Sequence, residues 1–184
     1  MPELWERAVQ HPFLAAVRDG TLPAGAFDTW LVQDYLFVGD LLWFQARLLS
    51  RAPRPAQPAL AAGAAALVDE LAWFEGLAAE RGLDLGRPAL PATRAYRRLL
   101  ERLDGAGFDN AVIALWALEK TYLEAWRFAA PGVERYRDIV AHWTTPAFGD
   151  YVDCLAAVCP AHAGPVVDEV LAQEIAFWEM AWVH

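Results

Sequence analysis

Apolar residues recur three and four positions apart along most of the chain, and proline and glycine cut the recurrence into separate stretches. The longest, 26–49, follows Pro23 and Gly25 and ends before Pro53, Pro55 and Pro58. A second covers 59–81 and stops at Gly82, a residue suited to the left-handed turn that closes a helix. Helices are predicted again over 90–103, 109–129, 134–143, 148–158 and 166–182, with a first helix over 4–17 broken near Pro12. Nowhere do apolar and polar residues alternate long enough to predict a strand. Linkers of roughly 2–8 residues suit antiparallel neighbours. With no internal repeat, the pattern predicts an all-α, single-domain helical bundle over residues 1–184.

Composition agrees. Ala occurs 36 times, Ile 3 times and Thr 6 times, which favours helix over strand. Hydrophobic residues make up 57% of 184, so a disordered chain is excluded and a sizeable core is possible. The net charge of -9 argues against nucleic acid as a partner, because a phosphate backbone wants a basic face. No uncharged run of 18 apolar residues occurs, so no membrane span is expected. Cys154 and Cys159 point apart on a helix, so no disulfide is expected, and without a leader or cysteine framework the cytoplasm is the expected compartment. There is a single lysine, Lys120, and a single serine, Ser50, with no G-x-S-x-G turn around it. Lys-centred chemistry and a Ser–His–Asp hydrolase are therefore poor fits.

Acidic residues inside apolar helices carry the most information, since a buried carboxylate needs a partner or a purpose. Asp34 is almost the only charge between Asp28 and Asp40. Glu119 shares a helix face with Trp116, Tyr122 and Trp126, and Glu174 is followed by Phe177 and Trp178 at i+3 and i+4. An aromatic stripe at helical spacing is usually core, but three acids on separate helices point to a shared pocket. Aromatic walls and carboxylates suit a flat, nitrogen-rich ring. A metal is not expected. Asp138 and His142, or His162 and Asp168, are isolated pairs, His11 and His184 sit near the ends, and no Glu-x-x-His pair exists. No cofactor is implied either, and His11, before Pro12, reads as a helix-break residue that bonds locally.

The run Leu4-Trp5, His11-Pro12-Phe13, Asp19-Gly20-Thr21-Leu22-Pro23, Phe27 and Trp30-Leu31-Val32-Gln33-Asp34-Tyr35 resembles the TenA family, the thiaminase II-like group of the haem-oxygenase-like fold. Thr93-Arg94-Ala95-Tyr96 and Glu174-x-x-Phe177-Trp178 resemble further segments of that family. Familiar members carry a cysteine nucleophile in a Pro-Cys-x-x-x-Tyr-like segment. Here the equivalent stretch reads Leu115-Trp116-Ala117-Leu118-Glu119-Lys120-Thr121-Tyr122-Leu123-Glu124-Ala125-Trp126, which resembles the cysteine-less TenA-E branch, where a glutamate sits beside the missing thiol. The resemblance implies hydrolysis of thiamine-derived aminopyrimidines, aminomethylpyrimidine or its N-formyl form, in a homodimer or homotetramer. It implies Asp34 on the pyrimidine's amidine edge, Glu119 and Glu174 as general acid and base, and Phe37, Tyr96, Tyr122 and Phe177 as substrate-binding residues. Two alternatives stay open: a non-catalytic pyrimidine-binding or regulatory protein, and an oxidoreductase resembling the PqqC branch. The latter would need basic residues lining its pocket, whereas Arg94, Arg97 and Arg98 lie outside the aromatic stripes.

Overall fold

A computed structural model describes residues 2–160 and 164–183. Two short helices open the chain, α1 (Pro2–Val9) and α2 (Pro12–Asp19). The expected break at Pro12 is a true boundary. His11 is extended (φ -60, ψ 146), its Nδ1 accepts the Phe13 N–H at 3.2 Å, and Pro12 takes the first helical position, where no N–H is needed. Gly20, at φ 74, closes α2.

Two long helices, α3 (Ala26–Ser50) and α4 (Gln57–Arg81), then pack against each other, followed by α5 (Pro91–Asp104) and α6 (Phe108–Ala129). The predicted helix over 134–143 is two pieces, a 3-10 turn Glu134–Tyr136 and α7 (Arg137–His142). Tyr136 stands at the junction of the two (φ -116, ψ -2), and its ring packs on Phe27 with centroids 5.1 Å apart. The chain ends with α8 (Pro146–Val158), capped by Thr145 Oγ accepting the Phe148 N–H at 3.2 Å, and α9 (Gly164–Val183). No strand occurs among the described residues.

Helix α6 is the centre of the bundle, touching α1, α2, α3, α5, α7, α8 and α9. It is therefore apolar almost all round, as a helix enclosed by others must be. Trp126, fully buried, stacks on Trp143 at 4.9 Å, and Trp30 meets both edge-on at 5.2 and 5.6 Å. On the neighbouring turn Tyr122 stacks on Trp178 at 5.9 Å. Trp116 does not join this group. It packs instead on Trp5 of α1 at 6.3 Å, where α1 covers α6. Among the described residues, no helix is long and apolar enough to cross a membrane.

Candidate active site

Five helices (α3, α4, α6, α7 and α8) enclose a cavity of about 430 Å³, a size that suits a small molecule. On α3 the i, i+3, i+4 spacing that buries Trp30 also brings Asp34, Phe37 and Val38 to the wall. On α6 Glu119 and Tyr122, three apart, face the same space. The two helices meet in a hydrogen bond: Tyr122 OH donates to Asp34 Oδ2 at 2.6 Å. Asp34 is 2% exposed and Glu119 6%. Glu119 makes no side-chain hydrogen bond among the described residues, so its carboxylate is available to a ligand.

The other three sequence-predicted residues stand one layer back, off the cavity wall. Tyr96 OH on α5 donates to Glu174 Oε1 on α9 at 2.5 Å. Phe37 separates this pair from the cavity, with its ring 4.5 Å from that of Tyr96 and 5.7 Å from that of Phe177.

Sequence reasoning missed Glu70, Trp143 and Tyr151. Glu70, on α4, lines the cavity and accepts the Trp143 Nε1–H at 2.8 Å. Its signal was present: Glu70 is followed by Trp73 and Phe74 at i+3 and i+4, the same arrangement as Glu174 with Phe177 and Trp178. Tyr151, on α8, is reached by Gln45 Nε2 at 3.0 Å.

These carboxylates crowd one another where little water screens them. Burial pushes Asp34 well above the usual carboxylate range, the Tyr122 hydrogen bond opposes this, and the charges of Glu70 and Glu174 reinforce it. Glu119 is likewise raised by burial and then by Glu70 and Glu174. Burial lifts Glu174 and Glu70 to about 7, against the bonds from Tyr96 and Trp143 respectively. No lysine or arginine lines the cavity among the described residues, while Asp34, Asp69, Glu70 and Glu119 do. A ligand that donates hydrogen bonds or carries positive charge is the natural complement.

The residues set aside in the sequence stay outside, except His142, which lines the cavity. Cys154 is exposed, Cys159 is half-buried with its thiol pushed up to about 11 by burial, and neither lines the cavity. Lys120 pairs with Glu124 at 3.0 Å, and Ser50 Oγ donates to its own helix at Arg47 O, 2.7 Å away. His11 Nε2 lies 3.2 Å from Glu179, and the His142 ring lies flat on Trp73 at 4.0 Å. His162 and His184 lie outside the described residues. No group of three or more His, Cys, Asp or Glu is set as metal ligands among the described residues.

The chain as a whole is similar to known proteins. Residues 1–182 match the profile described as "TENA/THI-4/PQQC family". A soybean (Glycine max) protein named "Probable bifunctional TENA-E protein" is 30% identical over 202 aligned positions, covering 97% of this chain and 88% of its own. A TenA homologue from Pyrococcus furiosus has a solved structure that superimposes with a TM-score of 0.90 at 29% identity, covering 98% of this chain and 95% of its own. A TenA homologue from P. horikoshii shares the fold at 23% identity, with a TM-score of 0.87 and coverage of 98% and 93%.

Proposed function

Since the chain belongs to the TENA/THI-4/PQQC family, we propose that its cavity binds an aminopyrimidine derived from thiamine breakdown and hydrolyses it without a cysteine nucleophile. The observation that carries this reading is the Asp34–Tyr122 pair beside Phe37 and the unpartnered Glu119, in a cavity with no thiol on its wall. A buried carboxyl group held in place by a phenol is a receptor for an amidine edge, where the exocyclic amine donates to one oxygen and the ring nitrogen shares the acid's proton with the other. The raised pKa of Asp34 fits a proton shared with the ring nitrogen. Phe37 supplies the apolar face on which the ring stacks, backed by Phe177.

Glu119, on the wall, takes a proton from the attacking water and returns it to the departing amine, while Glu174, behind Phe37, acts on it through its charge. Tyr96 holds Glu174 in register and Tyr122 holds Asp34. With aminomethylpyrimidine the products are hydroxymethylpyrimidine and ammonia; with the N-formyl form they are aminomethylpyrimidine and formate. A polyanionic quinone precursor is a poor match for a wall with four acids and no Arg or Lys among the described residues. The name of the soybean relative supports the cysteine-less reading. We place the activity in the cytoplasm, in a homodimer or homotetramer.

The test is incubation of the purified protein with thiamine, aminomethylpyrimidine and its N-formyl derivative, followed by mass spectrometry. Release of ammonia or formate with the pyrimidine product is the expected result. A tight pyrimidine complex without turnover would move the reading to a binding protein, and neither turnover nor binding would overturn it.

A further inference from the structure

Three aromatic groups at or behind the cavity give their proton to a carboxylate: Tyr122 to Asp34, Tyr96 to Glu174 and Trp143 to Glu70. Tyr151 does the opposite. Gln45, wholly buried, donates from Nε2 both to the Leu60 carbonyl at 2.9 Å and to the Tyr151 oxygen at 3.0 Å. The Leu60 carbonyl can only accept, so it fixes which end of the amide faces this side, and Tyr151 is left as an acceptor. Its own proton has no acceptor among the described residues, and the side chain lies on the cavity wall.

Gly63 makes this arrangement possible. A Cβ there would lie 2.2 Å from Gln45 Nε2 and 2.3 Å from Tyr151 OH, so the one glycine in the Ala61–Ala66 stretch of α4 is what leaves room for the pair. Burial first, then the charge of Glu119, keeps the phenol protonated well past its usual range, against the Gln45 bond.

We propose that Tyr151 is the hydrogen-bond donor for the carbonyl oxygen of an N-acyl aminopyrimidine, with Gln45 and Gly63 as its positioning residues, so that the site prefers the N-formyl derivative to the free amine. This rests on the pyrimidine reading above and names which of its two substrates the cavity favours. Water bonds to the formyl carbon and gives a proton to Glu119. The carbonyl electron pair moves onto oxygen, which Tyr151 O–H stabilises. When the tetrahedral centre collapses, the C–N bond breaks and the nitrogen takes the proton held by Glu119. Formate and aminomethylpyrimidine leave. Loss of one such donor costs roughly 10²–10³ in rate.

The experiment measures kcat/KM for N-formyl aminomethylpyrimidine and for aminomethylpyrimidine in the wild type, Tyr151→Phe and Gly63→Ala. The ratio of formyl to free-amine values should fall by ~10² or more in Tyr151→Phe and in the same direction in Gly63→Ala. If Gly63→Ala does not fold, Tyr151→Phe decides alone, since it removes one oxygen and keeps the ring. An unchanged ratio, or equal loss on both substrates, overturns the proposal. A wild type active only on the free amine overturns it while leaving the functional reading intact. A wild type inactive on both overturns the two together.

Discussion

Glu174 holds its proton to about pH 7 in the folded chain, against 4.5 for an ordinary glutamate, and that difference must appear in stability. Between those two values the folded state binds more protons than the unfolded state. Stability is therefore greatest below pH 4.5 and falls as pH rises through 7. The interval is about 2.5 pH decades at ~1.4 kcal/mol each, or about 3 kcal/mol for this one side chain. Glu174→Gln mimics the protonated form, can still accept the Tyr96 hydroxyl, and has nothing to titrate. The variant should be the more stable by only about 1 kcal/mol at pH 5 and by about 3 kcal/mol at pH 8.5. For a chain of this length that is a rise in Tm of about 6–12 °C. The other buried acids titrate in both proteins, so the quantity to read is the difference between two urea or thermal curves across pH 5–8.5. Parallel curves, or a variant weaker by the same amount at every pH, would refute the reasoning.

Asp34→Asn should weaken aminopyrimidine binding about 10–100-fold by calorimetry, since a charge-assisted bond is worth ~1.5–3 kcal/mol; equal affinity would remove Asp34 from the recognition edge. Glu119→Gln should lower kcat by ~10² or more with KM little altered, and a steady-state rate near wild type would take Glu119 out of the chemistry. Alkylation of Cys154 and Cys159 should leave turnover intact, because neither thiol lines the cavity. Inactivation that substrate protects against would contradict this. Glu70→Gln, which keeps the acceptor for Trp143 but removes a charge facing Asp34 and Glu119, should shift the acid limb of the kcat/KM profile to lower pH. The shift follows because its charge raises both of their pKa values; an unmoved limb would refute the coupling.

The periodicity located the helices because each buries one stripe against α6 or its neighbours, and proline and glycine mark the ends. Asp34, Glu119 and Glu174 were legible for the same reason: a charge in an apolar stripe stands out without knowledge of the fold. Glu70 lies beside Asp69 on an alanine-rich helix, and its one mark in the sequence is Trp73 and Phe74 at i+3 and i+4. Both carboxylates line the cavity, and in the structure the bond from Trp143 singles out Glu70. The Gln45–Gly63–Tyr151 arrangement was beyond reach, since Gln45 and Tyr151 are 106 positions apart and no periodicity links them. The tight turn at Glu134–Tyr136 was read as helix because its local pattern is helical; the contact of Tyr136 with Phe27 is long-range and decides the backbone there.

The indole of Trp143 borders the ligand space, stacks on Trp126 and meets Trp30 edge-on, and this gives the protein a built-in optical probe. Rings 4.9–5.6 Å apart exchange excitation far faster than they emit, so the emission of the buried group belongs to the whole set of rings. A pyrimidine that displaces water near Trp143 or disturbs its bond to Glu70 will therefore change the emission of the set, and the coupled near-ultraviolet dichroism with it. Occupancy of the cavity can be followed without a label, in the same sample whose turnover is being measured.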